Sequence, residues 1–167
     1  RIPVSSQNPD IQEIIKDKKR LIILNKSDLA CEQENRKWIE YFKNKKIPAV
    51  IVDSVSGKGI QEVLQKIVEI YDEEKYQTRG RIGKSIRVMI LGIPNVGKSS
   101  FINRIAKRNT AQVGNKPGVT RQKQWIKVSD QIELLDTPGV LWPKFKSEEV
   151  ALNLAFTGTI KEEILER

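Results

Sequence analysis

Apolar residues in this chain alternate between two rhythms. Short β-branched runs end in polar or glycine-containing loops, and each loop leads into a stretch with apolar residues three and four apart. The run at 20–24 predicts a buried strand, and ENRKWIEYFKNKK (34–46) predicts a helix with Trp38 and Phe42 on one face. IPAVIVDS (47–54) reads as a second strand. Ile60, Leu64, Ile67, Val68 and Tyr71 then line one face of a helix running from Gly59 to Tyr76. SIRVMILGI (85–93) is a third strand, followed by the helical KSSFINRIAKR. KQWIKVS and QIELLD form a hairpin around Ser129 and Asp130, and residues 147–167 read as one helix. Strand–helix alternation of this kind predicts an α/β fold with a mostly parallel sheet.

Two stretches keep neither rhythm. TRGRIGK (78–84) is a basic, glycine-containing linker, and residues 110–122 form a loop long enough to carry function. A length of 167 residues with 38% apolar and 31% charged positions fits one globular domain with a real core. No apolar run approaches the roughly 18 residues of a membrane span, so no membrane partner is expected. Cys31 is the single cysteine and histidine is absent, which excludes an internal disulfide and a Cys/His zinc site. A reducing compartment, the cytoplasm, is therefore expected, with the chain read as a monomer.

Charge is segregated. No Asp or Glu occurs from Lys75 to Ser129, a span with thirteen Lys or Arg, whereas the remainder has a net charge of −4. One nucleotide needs only one or two of those cations. The surplus, Lys107, Arg108, Lys123 and Lys127 among it, predicts a polyanionic partner, most simply RNA, over a merely solvated basic face.

The sharpest chemical signal is Gly92-Ile93-Pro94-Asn95-Val96-Gly97-Lys98-Ser99, which matches G-x-x-x-x-G-K-[ST] between a strand and a helix. Its backbone from Asn95 and Val96 through Gly97, Lys98, Ser99 and Ser100 would wrap phosphates at a helix N-terminus. Lys98 would neutralise β- and γ-phosphate oxygens, and the Ser99 hydroxyl would bind Mg²⁺. LLDTPG ends another strand with D-x-x-G, where Asp136 would hold Mg²⁺ and the Gly139 amide would meet the γ-phosphate. Thr120, in the long loop, is placed as a switch threonine on the same Mg²⁺. Asn25-Lys26-Ser27-Asp28 supplies the base reader. The Asp28 carboxylate accepts from guanine N1–H and N2–H₂, a donor pair that adenine lacks. The Lys26 stem would pack along the base and Asn25 would tie loops together. Asp53, Ser54 and Val55, after the next strand, would bring backbone to the guanine oxygen. GTP or GDP with Mg²⁺ is the implied ligand set.

The order is unusual, because the base reader precedes the phosphate loop by nearly seventy residues. Base reader, companion loop, phosphate loop, switch threonine and D-x-x-G are the ordinary set of a three-layer P-loop GTPase, cyclically rotated. Termini of a doubly wound domain lie at the surface, so a linker such as 78–84 can join the old ends while the site survives.

That order, together with RIPVSSQNP (1–9), GIPNVGKSS, PGVTR and DTPGVLWPKF (136–145), resembles the YlqF/RbgA family of circularly permuted GTPases across essentially the whole chain. The resemblance implies a factor in large-ribosomal-subunit assembly that binds ribosomal RNA and is stimulated by the ribosome. An organellar member would act in the mitochondrial matrix. Members carry an upstream segment with a further strand and a helical C-terminal domain. Residues 1–146 are therefore expected to be the GTPase domain lacking that strand, placed between those beginning near Ser85 and Arg20, and residues 147–167 the start of the C-terminal region.

Signalling GTPases place a water-orienting Gln directly after the D-x-x-G glycine. Here Val140 stands there, followed by Leu141 and Trp142. In loops reading G-x-P-N-x-G-K an Asn can help hold K⁺ beside the phosphates, so Asn95 is expected to do so, the alternative being a residue that caps its own turn. Three readings follow: a slow, partner-stimulated GTP-hydrolysing switch, a GTP-gated RNA-binding module with negligible turnover, or another P-loop nucleotide hydrolase, which Asp28 opposes.

Overall fold

A computed structural model describes residues 2–15, 18–77, 85–107, 124–139 and 147–160. The linker 78–84, the loop 110–122 with Thr120, and Val140, Leu141 and Trp142 lie outside the described residues. In chain order the elements are α1 (Asp10–Ile15), β1 (Ile22–Leu24), α2 (Glu32–Asn44), β2 (Ala49–Ile51), α3 (Ile60–Gln77), β3 (Ile86–Ile90), α4 (Lys98–Ile105), β4 (Gln124–Lys127), β5 (Ile132–Asp136) and α5 (Glu148–Phe156).

Strands β1 and β2 pair in parallel with Ile23 opposite Val50. Strands β3 and β5 also pair in parallel, Val88 opposite Leu134, and β4 runs antiparallel to β5. Central β5 buries Ile132 and Leu134. Ile60, Val63 and Ile67 of α3 and Phe101, Ile102 and Ile105 of α4 form one continuous core with Val50, Val52, Ile126, Ile132 and Leu134. This core spans both strand sets, which is why the two halves of the permuted chain form one body. Gly59 lets α3 start hard against β2: its φ is +85°, and a Cβ would overlap the Ile51 carbonyl.

Among the described residues β1 pairs only with β2, and β3 only with β5. Between β1 and β3 lies a cavity of about 1250 Å³, lined by Leu21–Leu24, Ile86–Leu91, Phe42, Ile67 and Phe101. Both strands bounding the cavity have an unpaired edge among the described residues.

Two segments differ from the expected pattern. Helix α1 has too few residues to show apolar periodicity. Its signal is Asn8-Pro9, where the Asn8 side chain caps the Asp10 amide at 2.9 Å and Pro9 occupies a first-turn position. At the other end the helix expected over 147–167 stops at Phe156. Gly158, at φ +69°, donates to the Ala155 carbonyl and Thr159 to the Leu154 carbonyl, both at 2.8 Å, so a Schellman turn ends it. Leu154 and Ile160 are buried with Ile93, and Ile2, Val96 and Val150 pack around them. Helix α5 and the N-terminal segment thus share a small core with the phosphate-loop strand.

Candidate nucleotide-binding site

The site forms where loops leave the carboxyl ends of β1, β2, β3 and β5, the edge at which open α/β sheets bind ligands. The phosphate loop runs from β3 to the N-terminus of α4, whose first turn holds no acidic residue. Gly97 has φ +91°, and a Cβ there would come within 2.5 Å of the Asn25 amide nitrogen. The loop therefore needs glycine at this position both for its turn and for the approach of the base-reading loop.

Residues far apart in sequence meet here. Asn25 donates through Nδ2 to the carbonyls of Val96 (3.0 Å) and Gly97 (3.4 Å). Lys26, in the left-handed region at φ +59°, donates through Nζ to the Asn95 carbonyl at 2.8 Å. The Ser54 hydroxyl donates to Asn25 Oδ1 at 2.7 Å, which fixes the amide so that its donor side faces the phosphate loop. Ser27 and Asp28 lie in a single 3₁₀ turn after β1, with Asp28 exposed. Val55, in the loop after β2, is 79% exposed. Its amide donates to Asp53 Oδ1 at 2.8 Å, so the backbone assigned to a guanine oxygen is here folded on its own aspartate. The Ser56 hydroxyl foremost, then the Val55 and Ser56 amides and the Arg104 charge, outweigh desolvation and hold the Asp53 carboxyl below the usual carboxylate range.

Lys98 is the cation of the phosphate-loop motif. Its ammonium donates to the carbonyls of Gly92 and Ile93, each at 3.0 Å. Burial pushes its pKa below the ordinary lysine value, and the Asp136 charge partly restores it. Asp136, at the end of β5, is fully buried. Gly139 completes the cradle, because a Cβ there would come within 2.7 Å of the Pro94 nitrogen and 3.0 Å of Lys98 Nζ. Ser99 and Ser100 sit half-buried in the first turn of α4. Thr120 belongs to the undescribed loop.

The Asn95 side chain reaches the end of α5. Its Nδ2 donates to the carbonyls of Thr157 (3.3 Å) and Gly158 (3.1 Å) at the end of α5. Sequence reasoning missed this link, and it missed Thr137, whose buried hydroxyl donates to the Ile90 carbonyl at 2.6 Å and pins the D-x-x-G loop to β3. Thr137 lies inside a recognised motif. Gly158 carried the helix-stop signal, but nothing local points it at Asn95.

Fold and site together define a P-loop GTPase domain whose motifs run in circularly permuted order. The family model described as "50S ribosome-binding GTPase" matches residues 87–165. Ribosome biogenesis GTPase A of Bacillus licheniformis is 47% identical over 99% of this chain, which spans 59% of that relative's length. A GDP-bound YlqF is similar at 25% identity and TM-score 0.67, covering 98% of this chain and 62% of that one. The GNP-bound YlqF of Thermotoga maritima is similar at 26% identity and TM-score 0.67, over 99% and 61% of the two chains. The chain belongs to the YlqF/RbgA family of circularly permuted GTPases.

Proposed function

We propose that this domain binds GTP and GDP and hydrolyses GTP as a slow, partner-stimulated switch in assembly of the large ribosomal subunit, in the cytoplasm. The observation carrying this reading is the clamp of Asn25 and Lys26 on the phosphate loop, which brings a guanine reader and a phosphate cradle into one site. Lys98 would exchange its Gly92 and Ile93 carbonyls for phosphate oxygens, and the Gly139 amide would meet the γ-phosphate. Ser99 and Asp136 fit Mg²⁺, a hydroxyl and a buried carboxylate suiting a hard cation that needs oxygen ligands, and Thr120 would add a second hydroxyl. When bound, Mg²⁺ supplies positive charge to the β- and γ-oxygens. We place a further parallel strand in the cavity between β1 and β3, where both edges offer backbone groups.

The basic span fits ribosomal RNA, although part of it is engaged within the chain: Lys127 pairs with Asp130 at 2.8 Å and Arg87 with Glu133 at 3.2 Å. Sedimentation of the full-length protein with ribosomal subunits tests the switch. The fraction travelling with the large subunit should differ severalfold between GTP and GDP. Equal fractions in GTP, GDP and no nucleotide would overturn the reading, and binding without turnover would favour the gated RNA-binding module.

Val140 cannot orient a water, so intrinsic hydrolysis should be slow, with K⁺ beside Asn95 accelerating it relative to Na⁺. The Asn95 contacts bear on this directly, since its carboxamide is engaged with α5. Asn95→Ala should abolish the K⁺ effect and leave GDP affinity within a few-fold. Single-turnover rates that are equal in K⁺ and Na⁺ would remove the cation from the proposal.

A further inference from the structure

Arg104 lies in the acid-free basic span, yet it is turned inward along the surface rather than outward to a polyanion. It sits in the last turn of α4, at the opposite end of that helix from the phosphate loop. Its guanidinium donates to the Ser56 carbonyl in the companion loop after β2. It also lies flat on Gly57, where a Cβ would come within 2.6 Å of Nε and 2.8 Å of Nη2. Gly57 has φ +92°, so the turn favours glycine there, and the guanidinium occupies the space beside it that a side chain would share.

Among the described residues the loop is otherwise held by the Ser54–Asn25 bond and by bonds within itself. Gly57 donates to the Asp53 carbonyl at 2.8 Å, Asp53 to the Lys58 carbonyl at 3.0 Å, and Val55 to Asp53 Oδ1. These bonds set the loop's shape but not its position relative to the phosphate loop. Arg104 supplies a second anchor beside the Ser54–Asn25 bond. Because α4 is a continuous eight-residue helix, its two ends move together. An anion bound at its N-terminus and a base resting on the 53–57 loop would then be registered against each other by one side chain.

We propose that Arg104 is a specificity-positioning residue, which holds the companion loop where the Val55 amide, exchanging Asp53 Oδ1 for the nucleotide, would meet the purine 6-oxygen. The inference rests on the guanine-nucleotide reading above. It assigns Arg104 no contact with the phosphates and none with RNA.

The test compares GDP with 6-thio-GDP, which keeps both donors to Asp28 but presents a sulfur, a weak acceptor, at position 6. Binding of each to the full-length protein is measured by calorimetry for wild type, Arg104→Met and Arg104→Lys. Wild type should prefer GDP. Arg104→Met should lower GDP affinity about tenfold while leaving 6-thio-GDP within about twofold, so the preference collapses, since a charge-assisted bond to the loop has been lost. Arg104→Lys, which keeps a donor, should restore part of the preference. Equal losses for both nucleotides would show that Arg104 acts through the phosphate loop, and no loss would show that it holds nothing; either result overturns the proposal. Arg104 is exposed, so the variants should keep the wild-type circular dichroism spectrum. Failure of the wild type to bind GDP at all would instead overturn the guanine reading.

Discussion

Asp28→Asn should exchange guanine for xanthine as the preferred base. The carboxylate offers two acceptors, which match N1–H and N2–H₂ of guanine. A carboxamide offers one acceptor and one donor group, which match N1–H and the 2-oxo group of xanthine. In the variant, guanine's amino group would face an amide NH₂, so one donor on each side loses its partner. A mispaired polar contact of this kind costs a few kcal/mol, so GDP affinity should fall about 100-fold or more while XDP affinity rises by a similar factor. Competition calorimetry with GDP, XDP and ADP reads all three. The exposed position of Asp28 in its 3₁₀ turn means that the change should not disturb the core. Parallel loss of GDP and XDP would show that Asp28 shapes the loop and does not read the base.

Lys98→Met should abolish nucleotide binding on the same scale and remove its pH dependence with it. Truncating one side of a charge pair largely withdrawn from water costs several kcal/mol, so a loss of about 100-fold or more is expected. The sign with pH follows from burial. In the free protein, desolvation lowers the Lys98 pKa, with Asp136 acting against it. Phosphate oxygens at the same ammonium favour its charged form, so the bound protein holds this proton to higher pH than the free one. Affinity is therefore full below the free-state pKa and falls as pH rises through it, with proton uptake on binding between the free and bound values. Calorimetry at alkaline pH in two buffers of different ionisation heat should show that uptake in the wild type. A Lys98→Met protein with residual affinity and the same uptake would place the titrating group elsewhere.

How much of the site could be read along the chain depends on how local each part is. The phosphate loop was legible because strand, glycine-bearing turn and helix N-terminus all fall within Ile86–Ile105, and Gly97 in the left-handed region is required by that turn alone. The placement of Asp136, Gly139 and Asp28 at one edge was legible for a similar reason: each ends or follows an apolar strand, and parallel strands deliver their carboxyl-end loops to one edge. The permuted order was legible too, because the motifs keep their identity when the chain is cut and rejoined elsewhere.

Only the tertiary structure decided which loops grip one another. Asn25 reaches carbonyls of the phosphate loop 71 and 72 residues away, and no pattern within a window records such a bond. An amide side chain can donate wherever carbonyls are brought to it, so nothing in the loop motif recorded that packing turns the Asn95 Nδ2 to the end of α5. Arg104 looked like one more cation in a basic span until the shared core of α3 and α4 set it over Gly57. The end of α5 was written locally in Gly158, but its consequence was not: the turn docks on the phosphate loop because Leu154 and Ile160 bury themselves against Ile93. Composition and spacing determine which chemistry this chain carries. Burial of apolar side chains distant in sequence determines which polar groups are left facing one another, and that is where the site acquires its geometry.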